Sequence, residues 1–338
     1  MKNVTLTKNK RIAIFLATAF VLNKALAFIG HYIAFTLSNM RYDELEESTL
    51  LSSFSNTLMN ASTLAVNLIT AALLIFLGKK LTENKTGAVL FLGCYYFGSA
   101  AGGLLSSFVS SLFKTAVTVG ISASVSSAII NISSFVSIFP AFFVAYMAFT
   151  AFMGTNPKLP ATPSTVSLKK ARKAFIIVTV LLTVIGGTIT TLPNLLLALI
   201  NPESGSFIAE ALVYMGYFAA WFSSLISFAA FYLTGYKITK SHFGAISFYI
   251  LANAISVPVT AILGNITSIA MNISQHIILE SGAGSGLPSV LPYAMSAVTS
   301  VTGILSVIIG FIISYKALSL FFTDEVYLTP VTFGNEAV

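Results

Sequence analysis

The chain has 338 residues, of which 56% are hydrophobic and 9% are charged, and its mean hydropathy is +0.89. Soluble globular domains carry about 25% charged residues, so this composition excludes an ordinary soluble domain. A net charge of +7 at pH 7 raises the question of a nucleic-acid partner, and the distribution of the basic residues argues against one.

Eight segments of the chain are long and apolar enough to cross a membrane as helices. A spanning helix needs roughly 20 mostly apolar residues, whereas a barrel strand needs about ten of alternating polarity. The segments are residues 12–36, 54–78, 87–113, 125–152, 174–199, 207–234, 244–271 and 289–321. We therefore expect an all-α polytopic membrane protein with eight transmembrane helices.

The basic residues follow the predicted topology. With the amino terminus in the cytoplasm, all 18 Lys and Arg residues fall on the cytoplasmic side except Lys24, Arg41 and Lys114. This is the positive-inside bias of membrane proteins, and it explains the basic excess without a nucleic acid. We expect a multi-pass protein of the plasma (cytoplasmic) membrane with both termini in the cytoplasm.

The first span carries the residue that is most costly to insert, Lys24. It follows Arg11 by 13 residues, which is about 20 Å along a helix and too far for easy snorkelling to the inner interface. Intramembrane lysines normally face a bundle interior or an aqueous cavity. His31 lies on the same helix face, so the pair predicts an anion-binding or proton-handling position. The alternative is a structural lysine bonded to helix carbonyls, with His31 at the outer interface.

The second span has a polar stripe. Its members, spaced four, three, four and three residues apart, are Asn56, Asn60, Thr63, Asn67 and Thr70. This spacing places them on one helix face, and buried amides and hydroxyls need partners, so the face cannot point at lipid. The stripe as a whole predicts the wall of a hydrophilic path, whereas for any single member hydrogen bonding between helices is the slightly favoured interpretation.

The third span carries small residues at four-residue spacing, Gly98, Gly102 and Ser106, which is typical of close helix contacts. The seventh span contains Asn253 and Pro258. Proline removes a backbone donor, so we expect a kink there, and an interrupted helix can expose groups that bind a solute. The alternative is a kink that serves packing alone.

In the sixth span, Glu210 and Tyr217 share a face with Tyr214, Trp221 and Ser224. This face is the counterpart of the second-span stripe, although an aromatic stripe is usually core packing. The candidate substrate-binding residues are Lys24, His31, Asn56, Asn60, Thr63, Asn67, Glu210, Tyr217 and Asn253.

The chain also repeats itself. Without a gap, Gly78, Lys80, Thr82, Gly87, Ala88, Phe91 and Ser99 align with Gly235, Lys237, Thr239, Gly244, Ala245, Phe248 and Ser256. Four spans in each half give both halves one orientation, so the repeat is a tandem parallel 4+4 arrangement, a pattern found in transporters. The predicted units are a first four-helix repeat (1–153), a proline-containing cytoplasmic linker (154–168), a second repeat (169–322) and a short cytoplasmic tail (323–338).

The sequence contains no nucleophile–base, metal-ligand or nucleotide-binding motif, so we expect neither an enzyme nor a bound metal or cofactor. The favoured hypothesis is a transporter or permease-like protein that moves a small solute or ion along a polar path between the halves. The alternative is a non-transporting membrane subunit or scaffold of a larger complex. Expected partners are membrane lipid, a small polar or anionic solute, and either a membrane-complex partner or a second copy in a homo-oligomer.

Overall fold

The computed structural model describes residues 2–42, 48–83, 85–118, 120, 122–153, 166–200, 206–280 and 290–322. Within these ranges the chain forms α-helices joined by short turns, with no β-strand. The helices are α1 (Lys2–Tyr42), α2 (Ser48–Thr82), α3 (Lys85–Thr118), α4 (Ala123–Val136), α5 (Ile138–Met153), α6 (Leu168–Ile200), α7 (Phe207–Thr239), α8 (His242–Tyr249), α9 (Val257–Glu280) and α10 (Val290–Ala317).

Eight helical segments in the described ranges are long and apolar enough to cross a membrane, as predicted. They are Asn9–Gly30, Asn56–Thr82, Lys85–Val117, Ala128–Phe152, Leu168–Ile200, Phe207–Thr239, His242–Ile273 and Ser300–Leu320. Five of the spans are single α-helices, whereas α4 and α5 share the fourth span, α8 and α9 share the seventh, and a 3₁₀ turn, Leu318–Leu320, ends the eighth. The architecture is that of a polytopic α-helical membrane protein.

The lipid environment follows from the outward-facing side chains. Phe139 on α5 is 76% exposed and Leu199 on α6 is 73% exposed in the isolated chain. Soluble proteins rarely expose contiguous apolar surface on this scale, because water would have to solvate it. In a bilayer the same surface contacts acyl chains instead.

The fourth span is interrupted beside a proline. α4 ends at Val136 and α5 begins at Ile138, with Ser137 in a turn between them. Pro140 has no N–H and therefore cannot donate to a carbonyl one turn earlier, which weakens the helix at this point. Helical hydrogen bonding resumes directly after the turn, because the Ala141 N–H donates to the Ser137 carbonyl over 3.2 Å.

The seventh span is interrupted in a similar place. A π-helical turn, Ile250–Ala254, follows α8, and α9 begins at Val257, directly before Pro258. The Ile255 N–H donates to the Ile250 carbonyl over 3.0 Å, which is the wider hydrogen bond of a π-turn. This break directly precedes Pro258, where a kink was predicted, and it lies next to Asn253.

The main buried cluster lies at the basic end of the bundle, where α1, α3, α6 and α8 begin and α2, α5 and α7 end. Its fully buried large side chains are Ile12, Leu16, Leu74, Phe91, Phe149, Phe152, Phe175, Phe248, Ile250, Leu251, Leu318 and Phe322. The rings of Phe91 and Phe149 pack edge to face with 5.0 Å between centroids. Such pairs contribute about 0.5–1.5 kcal/mol beyond area burial. This cluster, the basic-end core, holds the eight spans together.

Two tight turns at this end share one conformation. Thr82 and Thr239 each donate their hydroxyl to a glycine carbonyl four residues earlier, over 2.8 Å in both cases. Glu83 and Lys240, the next residues, both have a φ of +56°. Each therefore ends its helix in the left-handed conformation that commonly terminates helices.

Helices from the first predicted repeat also pack on helices from the second. α2 contacts α9, and α3 contacts α7. Two hydrogen bonds fasten the second contact: the Ser111 hydroxyl donates to the Tyr217 carbonyl over 2.8 Å, and the Trp221 indole donates to the Leu104 carbonyl over 3.1 Å. Polar bonds of this kind stabilise membrane helix pairs by about 0.6–2 kcal/mol each.

Some predicted segments lie outside the described residues. These are most of the linker (154–168), of which only 166–168 is described, and the tail (323–338). The division into two halves at these boundaries stays a prediction.

The spacing of α3 from α5 predicts opposite effects at two neighbouring glycines. A Cβ at Gly102 would lie 2.5 Å from the Ser137 carbonyl oxygen and 2.9 Å from the Ala141 Cβ, whereas a Cβ at Gly103 would meet nothing within 4 Å. We expect Gly102→Ala to lower the free energy of unfolding by about 1–3 kcal/mol, the usual cost of overpacking. Gly103→Ala should leave it unchanged or raise it by up to about 1 kcal/mol, because alanine favours helix.

Thermal unfolding in detergent measures this difference, with the buried thiol of Cys94, the chain's single cysteine, reporting exposure to a fluorogenic maleimide. Equal losses in the two variants would show that α3 and α5 are not in close contact at Gly102.

Candidate functional site

Lys24 lies in the wall of a cavity between α1, α3 and the fourth span. The cavity has a volume of about 560 Å³. Its polar lining comprises Asn23, Lys24, Ser99, Ser106, Ser107, Ser110, Asn131, Ser134 and Ser137. We call it the lysine cavity. One ammonium surrounded by hydroxyl and amide groups is a setting that suits an anion, since each of these groups can donate a hydrogen bond to it.

The Lys24 ammonium has one hydrogen bond to a described residue. It donates to the Ser134 hydroxyl over 2.9 Å. An ammonium has three N–H donors, so this bond leaves two for a ligand or for water. The described carboxylates, Glu83 and Glu210, are exposed and neither lines the cavity. Among the described residues, therefore, the positive charge is not neutralised by an acidic side chain.

The floor of the lysine cavity is the top of the basic-end core. Phe20 and Tyr95 line the cavity and stack on each other with 4.3 Å between ring centroids. The Tyr95 hydroxyl forms a side-chain hydrogen bond with Ser99, one turn further along α3. The aromatic pair thus closes the cavity toward the basic end, while hydroxyl groups line the space beyond it.

α3 serves both contact and cavity. Gly98 and Gly102 lie against the backbone of α5, where a Cβ at Gly98 would touch the Ala141 carbonyl oxygen. This close approach agrees with the small-residue spacing in the sequence. Gly103, one residue further round the helix, is exposed and faces open space.

A second cavity of about 480 Å³ lies on the adjacent face of α3, against α7 and α8. We call it the serine cavity. Its polar lining comprises Ser107, Ser223, Ser224, Ser227, Tyr249 and Asn253. Its floor is again aromatic: the rings of Phe228 and Tyr249 lie 4.8 Å apart and both contact Phe97 of the core. Gly103 and Ser107 line both cavities.

The structure places two of the predicted site residues in these cavities. Lys24 lines the first, and Asn253 lines the second, where its side chain hydrogen-bonds to Tyr249. Glu210 lies elsewhere, in a largely apolar pocket beside Phe207, Tyr214 and Trp221.

Tyr217 contributes its carbonyl to the helix contact with Ser111. His31 lies in α1, and its side chain is outside the described part of the structure.

The second-span stripe lies apart from both cavities. Asn56 is exposed, whereas Asn60, Thr63 and Asn67 are partly buried on α2, which packs against α1 and α9. None of these four is among the lining residues of the lysine or serine cavity. At the end of the stripe nearer the basic end, Thr70 accepts a hydrogen bond from Asn23 of α1 over 2.8 Å, so this member joins two helices.

A smaller cavity of about 200 Å³ lies between α6, α7, α9 and α10. Its lining includes the hydroxyls of Thr179 and Ser314, which are buried without a hydrogen-bond partner among the described residues. Buried polar groups normally find a partner, and water fills this role where space allows. The cavity has no charged group in its described lining, which distinguishes it from the lysine cavity.

Sequence patterns missed several of the cavity residues. Asn23, Asn131, Ser134, Ser223 and Ser227 line the cavities without having been predicted. Asn23 directly precedes Lys24, and an amide beside an intramembrane charge is a usable signal. The serines give no such signal, because serine is common on membrane helices and bonds readily to its own helix.

Residues that could hold a metal are not grouped in the described parts of the chain: no cluster of three or more His, Cys, Asp or Glu side chains occurs there. No protein family, curated protein or solved structure matches the chain. What the site can do is therefore inferred from its own geometry.

The charge of Lys24 predicts how a cysteine in the same cavity reacts. In a Cys94→Ala background, Ser106→Cys should react faster with an anionic methanethiosulfonate than with a cationic one, because the ammonium attracts the first and repels the second. We expect Lys24→Gln to lower the ratio of the two rates at least about tenfold, corresponding to about 1.4 kcal/mol.

Rates measured on the purified protein in detergent test this expectation. The control is Lys170→Cys, at an exposed position near the basic end, where Lys24→Gln should leave the ratio unchanged. An unchanged ratio at Ser106→Cys would mean that Lys24 does not set the potential of the cavity.

Proposed function

We propose that the protein is an integral membrane transporter or permease-like protein for a small anionic or polar solute, which binds in the lysine cavity. The observation that carries the proposal is the partly buried Lys24 ammonium, which faces hydroxyl and amide groups and no described carboxylate. Inserting a lysine at the centre of a membrane helix costs about 2.5–3.5 kcal/mol on translocon scales. One of the three N–H donors of the ammonium bonds to Ser134, and an anionic solute would accept hydrogen bonds from the other two.

The shape of the bundle supports transport more than static binding. The lysine and serine cavities lie on the far side of the basic-end core, and aromatic rings close both floors. A transporter needs a site near the middle of the membrane that is blocked on one side at a time. In this proposal the basic-end core is the closed side, and release of the solute requires the helices to part there.

We also propose that the architecture is the tandem parallel 4+4 repeat, with halves at 1–153 and 169–322. The two turns with a φ of +56°, at Glu83 and Lys240, occupy aligned positions. In the fourth and eighth spans, which align with an offset of 169 residues instead of 157, the stacked pairs Phe142–Tyr146 and Phe311–Tyr315 also correspond, at 6.0 and 6.1 Å. Under this repeat the contacts of α2 with α9 and of α3 with α7 are equivalent.

The proposed orientation places the basic end, and with it both termini, in the cytoplasm of a cell whose plasma membrane holds the protein. The two cavities would then be closed toward the cytoplasm.

Loss of the Lys24 charge should abolish transport. Proteoliposomes are treated with the potassium carrier valinomycin and placed in the potassium salt of chloride, formate, lactate or gluconate. Entry of the anion together with K⁺ swells the vesicles, and light scattering measures the rate of swelling. We expect Lys24→Ala to lower the flux of every permeant anion at least about tenfold, because the binding energy of the charge is lost. Thr188→Val, on exposed α6 and outside both cavities, should transport normally.

If the folded Lys24→Ala variant and the folded unaltered protein transport anions at equal rates, the lysine cavity is not the transport site. If no solute crosses and the protein co-purifies with stoichiometric membrane partners, the non-transporting subunit becomes the better account. Asn60→Leu tests whether the second-span stripe also belongs to the pathway. A loss of flux in this variant would show that the solute passes along the stripe as well as through the cavities.

A reporter fusion tests the parallel repeat. Fluorescent protein joined after residue 160 and after residue 338 should fluoresce at both positions, since an even number of spans per half returns the chain to the cytoplasm. A third fusion after residue 203, in a predicted outer loop, should stay dark. Opposite results at 160 and 338 would contradict the parallel arrangement.

A further inference from the structure

We propose that the lysine and serine cavities form one compound binding site for an organic anion that also carries hydroxyl or amide groups. Lys24 holds the anionic group, and the serine cavity holds the neutral polar remainder. This inference rests on the proposed function and adds the chemical class of the solute.

The two cavities border each other at Gly103, on neighbouring faces of α3. Gly103 and Ser107 line both of them, and a Cβ placed on Gly103 would meet no atom within 4 Å. The space beside this glycine is therefore open between the two linings, which the proposed site uses as its connection. A solute that follows α3 round from one face to the other therefore meets no side chain at Gly103.

The serine cavity suits neutral hydrogen-bonding groups. Ser223, Ser227 and Asn253 supply hydroxyl and amide groups, which both donate and accept, and none of the described lining residues is charged. A solute hydroxyl or amide has the same dual character. The rings of Phe228 and Tyr249 at the floor offer an apolar surface to the carbon chain between polar groups.

The charge and the volumes of the two cavities narrow the chemical class of the solute further. Lys24 is the one charged side chain in the described lining of either cavity, so it matches a single anionic group. Each cavity, at about 480 and 560 Å³, lies within the range of small-molecule sites. A small inorganic anion would occupy the end near Lys24 and leave the serine cavity unused, whereas a hydroxylated organic anion would use both.

Matched pairs of anions test the compound site. Gluconate and hexanoate have the same number of carbon atoms and the same charge, but only gluconate carries hydroxyl groups. Lactate and propionate form a second such pair, in which lactate is the hydroxylated member. Dissociation constants are obtained from the rise in unfolding temperature with ligand concentration, with Cys94 as the reporter. We expect gluconate to bind at least about tenfold more tightly than hexanoate, with a smaller preference for lactate over propionate, because shorter chains reach fewer serines.

Two variants assign the effect to the two cavities. Ser227→Ala combined with Asn253→Ala should reduce the preference for gluconate over hexanoate to within about twofold while hexanoate binding persists. Lys24→Gln should weaken both anions at least about tenfold. Ser268→Ala, on α9 and outside both linings, is the control and should change neither constant.

The outcomes separate the two proposals. If Lys24→Gln weakens both anions but gluconate and hexanoate bind equally, the compound site is wrong and the lysine cavity stands. If the preference exists but survives Ser227→Ala with Asn253→Ala, the hydroxyls bind elsewhere and the compound site is again wrong. If Lys24→Gln leaves both constants unchanged, the anion site of the proposed function falls as well.

Discussion

A lysine ammonium in the hydrocarbon layer needs hydrogen-bond partners, and this requirement governs how the first part of the chain is arranged. Lys24 donates to Ser134 across the gap between α1 and α4. Asn23, its neighbour, donates to Thr70 of α2. Two adjacent polar residues of α1 thus fasten it to two different helices. Because Lys24 and α3 face one cavity, the small and hydroxylated residues of α3 determine what else the charge can meet.

The bundle divides into a packed end and an end with cavities. The basic-end core draws on all eight spans, and the rings of Phe20, Tyr95, Phe228 and Tyr249 form both its upper layer and the cavity floors. The hydrogen bonds of Tyr95 with Ser99 and of Tyr249 with Asn253 connect that layer to the polar groups above it. In the proposed transport function, a solute that bonds to Ser99 or Asn253 would act on the aromatic rings at the cavity floors, and this contact would couple binding of the solute to opening of the closed side.

Much of the fold could be predicted from the sequence, because each span needs the same length of apolar chain. The eight spans followed from hydropathy, and the break at 250–256 lies directly before Pro258, where proline chemistry predicted a kink. Lys24 could be singled out because a charge inside a span is rare. The partners of Lys24 could not be predicted, since Ser134 and Asn131 come from a helix more than 100 residues away, and helical spacing reveals which residues share a face but not which helix they meet.

The second-span stripe illustrates the same limit. Its spacing placed Asn60, Thr63 and Asn67 on one face, but the two cavities beside α3 lie elsewhere. Gly98, Gly102 and Ser106 of α3 were interpreted as a contact surface, which holds for Gly98 and Gly102, whereas Ser106 lines the lysine cavity. One turn of helix separates a contact from a cavity wall, and only the neighbouring helix decides between them.

The central claim is that Lys24 holds an anionic solute in a water-accessible cavity. The most direct measurement is an experimental density map of the protein in lipid nanodiscs, recorded with and without gluconate. The account predicts a cavity free of acyl chains, with gluconate density about 3 Å from the Lys24 ammonium and extending past Gly103. Acyl chains that fill the cavity, or an acidic side chain of the same protein paired with Lys24, would contradict it.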